Sequence, residues 1–284
     1  PGGLNLVNTV DDDEVTYRFG VEWDVGDDSL FYAGFERGYR AGGVDSSQVV
    51  PTYPPEVIDA YTIGSKNRFL DNSLQLNIEA FYWDYTDQQI NYFATINGGP
   101  EFRTVNADST IQGLDIDLLW AMSEDTTIGV KAQFLDSTFD RLELVSDVGT
   151  GRYGCTAGAV NGGLETFDCA GQNLVYAPDL ALDLNVSHVM NIGNFDLVGI
   201  LDVIHRSEQN IDKTFLPELE ADAYTQVNLE LMLIPVDGRW SVSAYGRNLT
   251  DERILTSANV SRFGPFYGIY NPPPTYGVRF RADF

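Results

Sequence analysis

The chain has few cysteines, few histidines and few basic residues: Cys 2 and His 2 among 284 residues, and Lys+Arg 17 against Asp+Glu 42. The formal net charge of −25 argues against a protein that binds nucleic acid, because phosphate neutralisation requires a basic surface. No run approaches the roughly 18 consecutive apolar residues that a membrane-spanning helix needs. Motifs for a nucleophile elbow, a P-loop and a zinc-protease helix are also missing, so we predict that the chain is not an enzyme.

The two cysteines, Cys155 and Cys169, lie in one glycine-rich and turn-rich stretch of the sequence. Two cysteines are too few for a structural zinc site, which takes four protein ligands. Their position in a short polar loop predicts a local disulfide in an oxidising compartment. Two free thiols in a reducing compartment are the alternative.

Apolar and polar residues alternate with a period of two along the whole chain, which predicts strands with one apolar and one polar face. The regular segments start near residues 15, 113, 127, 180, 226 and 276, and less regular ones cover 29–39, 56–67 and 195–206. The composition, 12% aromatic with Gly 27, suits an all-β protein.

Short and long connections alternate between these segments. The short ones carry hairpin-turn residues and lie at 26–28, 70–72, 123–125, 191–194 and 236–238. The long ones are polar and cover about 40–55, 95–108, 139–178, 207–222 and 248–274. This asymmetry predicts an antiparallel transmembrane β-barrel in a bacterial outer membrane, with short periplasmic turns and long extracellular loops.

The pattern contains about eleven strands, an odd number. The first and last strands of an odd meander run in the same direction and cannot pair antiparallel, so we expect the chain to need another barrel half. The apolar face should meet lipid and the polar face the lumen. Aromatic residues near the strand ends are candidates for the interfacial girdles: Trp23, Tyr82, Trp83, Tyr85, Trp120 and Trp240.

Several segments resemble, in order, the TonB-dependent outer-membrane receptor family. They are Gly38-Tyr39-Arg40-Ala41-Gly42-Gly43, Tyr61-Thr62-Ile63-Gly64-Ser65-Lys66, Leu76-Asn77-Ile78-Glu79, Gln112-Gly113-Leu114-Asp115 and Asn248-Leu249-Thr250-Asp251-Glu252. The alternation of Tyr276, Val278, Phe280 and Phe284 resembles the terminal signal that the barrel assembly machinery recognises.

The resemblance implies that residues 1–284 form the C-terminal half of a 22-stranded barrel, a size that holds a plugged lumen. It also implies a plug domain and a TonB-binding segment that lie outside these residues. The partners would then be the N-terminal barrel half with its plug, the TonB complex, outer-membrane lipid and the assembly machinery. The expected function is energised uptake of a scarce nutrient, a ferric siderophore, without a resident cofactor.

Aromatic and cationic residues of the long loops are the predicted ligand contacts, because such side chains suit an iron chelate. They are Tyr39, Arg40, Tyr92, Phe93, Phe102, Arg103, Arg262, Phe263, Phe266, Tyr267 and Tyr270. The carboxylates of Asp11, Asp12 and Asp13 are calcium candidates, with an ordinary solvated acidic face as the alternative.

Two other functions remain open at this point. A passive porin-like barrel would lack the plug, and a soluble secreted β-sandwich would bind glycans. The sandwich requires the Leu, Ile and Val rows to meet across a closed two-layer core, whereas a barrel leaves them facing outward.

Overall fold

A computed structural model describes residues 9–45, 52–149, 153–260 and 266–282. Its main element is an 11-stranded antiparallel sheet in which each strand pairs with the next along the chain. We number these strands β1 Tyr17–Asp24, β2 Ser29–Arg40, β3 Glu56–Phe69, β4 Leu74–Ile96, β5 Gly99–Ser123, β6 Thr126–Arg141, β7 Leu180–Ile192, β8 Phe195–Arg206, β9 Tyr224–Pro235, β10 Trp240–Arg247 and β11 Thr275–Ala282. The predicted all-β meander is confirmed.

The long connections contain small elements of their own. Their strands are Gly43–Val44 with Thr52–Tyr53, Glu143–Asp147 with Leu164–Asp168 and Thr156–Asn161, Gln209–Asn210 with Glu220–Ala221, and Leu255–Val260 with Phe266–Tyr270. A 3-10 helix covers Pro217–Leu219. In the part of the chain that the structure describes, none of the helices has the length and apolar character needed to cross a membrane.

The five short turns lie where the sequence predicts them, between β1 and β2, β3 and β4, β5 and β6, β7 and β8, and β9 and β10. Positive φ angles occur at Gly26 (73°), Asn72 (67°), Gly193 (63°) and Gly238 (67°), a conformation that glycine and asparagine tolerate best. Because the strands are antiparallel, all five turns lie at the same end of the sheet, which we call the short-turn end.

One of the predicted long connections is wrong. Residues 95–108 do not form a polar loop, because β4 and β5 continue past the sheet to a two-residue turn at Asn97 and Gly98. Both residues have positive φ, 52° and 72°, as a type I′ turn requires. A register shift between Tyr85 and Gln88 lies at the base of the part of this hairpin that extends beyond the neighbouring strands.

The two faces of the sheet differ in chemistry. Register places Leu184 beside Val130 and Val203, and Val203 beside Val227, in one apolar row. The opposite face carries rows such as Asp117, Lys131 and Asp183. The apolar side chains are exposed, as Val278 is to 76%, and no second sheet covers them in the described residues. The β-sandwich alternative is therefore wrong.

Aromatic residues border the apolar face at both ends. Phe35, Tyr61 and Tyr82 form a row at the long-loop end, with ring centroids 4.7 and 6.2 Å apart. Trp23, Trp120 and Trp240 lie on the same face near the short-turn end. Trp83 and Tyr85 lie on the polar face instead, one residue out of phase with Tyr82, so their assignment to the girdles is wrong.

The outermost strands, β1 and β11, each have one neighbour among the described residues, so this sheet is open. They run in the same direction, as an odd strand number requires. The expectation that the chain does not close by itself is confirmed.

Candidate ligand-binding site

The hairpin of β4 and β5 projects beyond the sheet at the long-loop end. Its base is held by Arg141, whose guanidinium contacts the carboxylates of Asp87 at 2.9 Å and Asp108 at 2.7 Å. Hydrogen bonds from Arg141 hold the pKa of Asp108 below its ordinary value. We call the projecting part, residues 88–107, the upper hairpin.

The tip of the upper hairpin is bound by the connection that follows β6. The carboxylate of Asp147 accepts hydrogen bonds from the backbone N–H groups of Asn97 (3.0 Å) and Gly98 (2.7 Å). The Ser146 hydroxyl bonds both the N–H and the carbonyl of Thr95, at 3.3 and 3.2 Å. Side chains of Glu143–Asp147 therefore fasten this connection to the hairpin.

The largest buried apolar cluster of the described residues lies at this end of the molecule. It joins the upper hairpin to the described residues of 139–179 and to residues 207–223, and we call these three segments the loop cap. Its buried members are Ile90, Tyr92, Ala94, Ile96, Ala107, Phe139, Leu142, Leu144, Phe167, Cys169 and Phe215. Within the loop cap, Cys155 and Cys169 form a disulfide across a separation of 14 residues.

The loop cap covers the polar side of the sheet. Because residues two apart in a strand share a face, Ser109, Ala107 and Arg103 of β5 lie on the same side as Asp115 of the polar face. Ala107 belongs to the buried cluster, so the cluster packs on the continuation of the polar face. This placement sets which predicted ligand residues can reach the lumen.

The four ligand candidates of the upper hairpin fall on opposite faces. Tyr92 is 5% exposed and lies in the apolar cluster, where its hydroxyl accepts a hydrogen bond from Val145 N at 3.0 Å. Burial raises the pKa of Tyr92. Its register partner Arg103 has a buried Nε without a hydrogen-bond partner. Tyr92 thus supports the fold of the loop cap.

Phe93 and Phe102 point away from the cluster. They form a register pair whose ring centroids are 5.3 Å apart, and Phe93 is 65% exposed. Their face is continuous with the apolar face of the sheet, so they lie on the outside of the upper hairpin.

Tyr39 and Arg40 end β2 and also point to different sides. Tyr39 pairs with Val57 and shares the face of Phe35, whereas Arg40 pairs with Glu56 on the polar side. Of these two residues, only Arg40 lies on the face that the loop cap covers.

The last long connection forms a separate hairpin that presents Phe266, Tyr267 and Tyr270 at the surface. The Arg253 guanidinium lies 4.8 Å from the centroid of the Tyr270 ring. Ala258 of this hairpin packs with Ile211, Leu219 and Ala221 in a second apolar cluster. The predicted contacts Arg262 and Phe263 lie outside the described residues.

Beneath the loop cap, the polar face lines a cavity of about 590 Å³. Sequence reasoning missed one residue here: Tyr176, which is exposed and enters the cavity from the loop cap. Its φ of 58° is unusual for tyrosine, and its N–H donates to Asn210 O at 2.8 Å. The adjacent wall carries Arg206, which pairs with Asp183 at 3.0 Å.

The calcium candidates are not gathered into a site. Asp12 accepts a hydrogen bond from Gly42 N at 2.7 Å, which ties the segment before β1 to the end of β2. Across the described ranges, no group of three or more His, Cys, Asp or Glu side chains is arranged to hold a metal ion.

Residues 2–249 match the family model for the TonB dependent receptor-like β-barrel. The chain belongs to the TonB-dependent receptor family. The open sheet is therefore a section of an outer-membrane β-barrel wall, with one apolar and one polar face.

Solved structures of this fold cover nearly all of the receptor chain. The ferric yersiniabactin uptake receptor FyuA from Yersinia pestis is 17% identical with a TM-score of 0.72, covering 96% of this chain and 38% of its own. The siderophore receptor PiuA from Acinetobacter baumannii is 15% identical with a TM-score of 0.67, and the match covers 93% of this chain and 35% of PiuA. The copper transporter OprC is 14% identical with a TM-score of 0.64, and the match covers 93% of this chain and 39% of OprC. The chain thus spans less than half of each of these proteins.

The last strand of the wall carries the predicted assembly residues on its apolar face. Tyr276, Val278 and Phe280 alternate along β11 and are all exposed. Phe284 lies outside the described residues. These three side chains are therefore exposed on the apolar face, and their role in assembly stays a prediction.

Proposed function

We propose that this chain is the C-terminal half of a 22-stranded receptor barrel that imports a ferric siderophore, driven by the TonB complex. The observation that carries the proposal is the arrangement of the wall, which is apolar toward lipid and polar toward a lumen that the loop cap covers. The N-terminal half of the barrel and its plug would complete the structure.

The polar face offers a plug several charged and amide groups. Arg247 lies 3.7 Å from Asp202 and 3.8 Å from Glu230, and Arg279 lies 3.6 Å from Glu230. The Asn77 Oδ1 atom is buried without a hydrogen-bond partner. Because unpaired buried polar atoms are costly, a plug that donates to this face would stabilise the assembled receptor.

The long-loop end would face the cell exterior, and the short turns the periplasm, as in other outer-membrane barrels. In this orientation the disulfide of the loop cap lies where oxidising conditions preserve it. Phe266, Tyr267 and Tyr270 would then be accessible to cargo from outside, together with Arg40 and the cavity residue Tyr176.

A siderophore is favoured as cargo because aromatic rings and guanidinium groups are presented at the long-loop end. The stacked pair of Arg253 and Tyr270 offers both a cation and a ring to an anionic chelate. FyuA is described as a ferric yersiniabactin uptake receptor, PiuA as a siderophore receptor and OprC as a copper transporter. Copper uptake is therefore the competing outcome of the test.

Uptake is tested by comparing a strain lacking the gene with its parent and with a complemented strain. Each receives radioactive iron as catecholate, hydroxamate or phenolate chelates, and copper in a parallel series. We expect one ferric chelate to enter the parent and the complemented strain only, and to require TonB. Equal uptake of every chelate by all strains would refute the cargo, and copper-specific loss would replace it.

A passive porin-like barrel is separated by conductance. The complete receptor in a planar bilayer should conduct little while its plug is folded, and should open when urea unfolds the plug. A large open conductance without urea would instead identify a porin.

A further inference from the structure

Residues 210–215, which follow β8 and belong to the loop cap, contact its other two segments at several points. Asn210 accepts the N–H of Tyr176 at 2.8 Å, and its side-chain amide donates to Asn173 O at 3.3 Å. The Lys213 ammonium donates to Asn91 O of the upper hairpin at 2.7 Å. This short segment therefore connects the other two parts of the loop cap.

Phe215 is the residue of this segment that enters the apolar cluster. It is 5% exposed, and its ring centroid lies 6.1 Å from that of Phe139 in an edge-on contact. Its φ of 52° is costly for a bulky residue and persists only when surrounding contacts enforce it. One such contact is a turn in which Asp212 Oδ1 accepts from the N–H and hydroxyl of Thr214, at 2.9 and 2.6 Å.

The backbone of Thr214 and Phe215 lies against Gly154, the residue before the disulfide-closed segment Cys155–Cys169. Gly154, next to Cys155, donates its N–H to Thr214 O at 2.7 Å. A Cβ atom at Gly154 would lie 1.7 Å from Phe215 O, so the approach requires glycine. Cys155, the residue after Gly154, is bonded to the buried Cys169, so the disulfide restrains the chain beside Gly154.

We infer that residues 210–215 are a latch that keeps the loop cap closed over the lumen, with Phe215 inserted in the apolar cluster that also holds Phe167 and Cys169 of the disulfide-closed segment. When Phe215 leaves its pocket, the contacts at Asn210, Lys213 and Thr214 lose their support together. The motion reaches the last hairpin as well, because Ile211 packs with Ala258 in the second apolar cluster. Opening of the lumen is therefore a concerted step of these loops, whatever cargo the receptor carries.

Hydrogen–deuterium exchange of the complete receptor in nanodiscs tests the latch. In Phe215→Ala, a truncation of a buried aromatic, we expect exchange to rise about 100-fold both in residues 153–176 and in residues 208–221. Wall strands β7 to β9 should keep their protection, which also shows that the barrel has folded. Phe215→Leu should recover most of the protection. Val160→Ala, at an exposed site in the same disulfide-closed segment, is the matched control and should change nothing.

Removing the disulfide tests the receiving side without touching residues 208–221. The double variant Cys155→Ser and Cys169→Ser should raise exchange in 208–221 about tenfold, although no covalent bond joins the two segments. Acceleration confined to 153–176 in this variant, or confined to 208–221 in Phe215→Ala, would show independent loops and overturn the latch.

Discussion

The wall and the loop cap contain similar apolar residues, but the wall exposes them on its outer face and the loop cap buries them in its interior. Leu231 of β9 is 44% exposed on the apolar face of the wall, whereas Leu144 of the loop cap is 0% exposed and packs among other loop residues. In the proposed barrel the difference follows from the solvent, because lipid accepts apolar side chains and water at the long-loop end does not. A leucine in a predicted strand therefore does not by itself indicate whether its side chain is buried within the protein or exposed on the outer face of the wall.

The largest difference should appear when the same truncation is made in both regions. Leu144→Ala should destabilise the loop cap by about 4 kcal/mol, because it removes a fully buried side chain and leaves a cavity. Leu231→Ala should cost less than about 1 kcal/mol, since lipid fills the space that the side chain vacates. Local free energies from hydrogen exchange in nanodiscs would measure both. Similar costs at the two positions would contradict the proposed burial.

The wall should tolerate the truncation of Leu231 but not the introduction of a charge at the same position. Leu231→Lys should destabilise the barrel by about 3 kcal/mol, because an ammonium near the bilayer middle is costly. Met232→Lys is the matched control, since Met232 is the next residue and register places it on the polar face beside Ser243. Denaturant unfolding in lipid would measure both, and equal loss from the two variants would disprove the assignment of faces.

The smallest expected effect concerns pH and the loop cap alone. Burial raises the pKa of Tyr92 above its ordinary value of 10.0, so its contribution to stability is complete below pH 10 and is lost as pH rises through the higher folded-state pKa. Tyr92→Phe removes the hydroxyl that bonds Val145, which should cost about 1 kcal/mol at neutral pH.

The variant should also weaken the alkaline loss of protection in residues 143–147. Hydrogen exchange compared between neutral pH and pH above 10 would show this, after correction for intrinsic exchange rates. Tyr267→Phe, at an exposed tyrosine of the last hairpin, is the control. An identical alkaline response of all three proteins would exclude Tyr92 as its source.

Periodicity and turn chemistry were enough to predict the wall. Positions such as Gly26, Asn72 and Gly238 need positive φ, and the side chain alone indicates this. The Asn97-Gly98 pair carries the same hairpin signal, but it was overlooked inside a polar stretch. Its recognition would have predicted the upper hairpin.

The candidate site was harder to predict because neighbouring residues in a strand point to opposite sides. Tyr92 and Phe93 are adjacent aromatics, yet one is buried in the loop cap and the other lies outside it. A one-residue register shift decides which is which, and no local pattern reports it. Tyr176 reaches the cavity only through contacts with a distant connection, such as its bond to Asn210.

The common direction of β1 and β11 has a consequence for the rest of the barrel. If a second copy of this sheet stood beside the first with its long loops at the same end, β11 of one copy would meet β1 of the other running parallel. Inverting the second copy would restore antiparallel seams but place long loops on both sides of the membrane. A closed antiparallel barrel that contains this sheet would therefore need a different second sheet, with an odd number of strands and both border strands opposite in direction to β1 and β11.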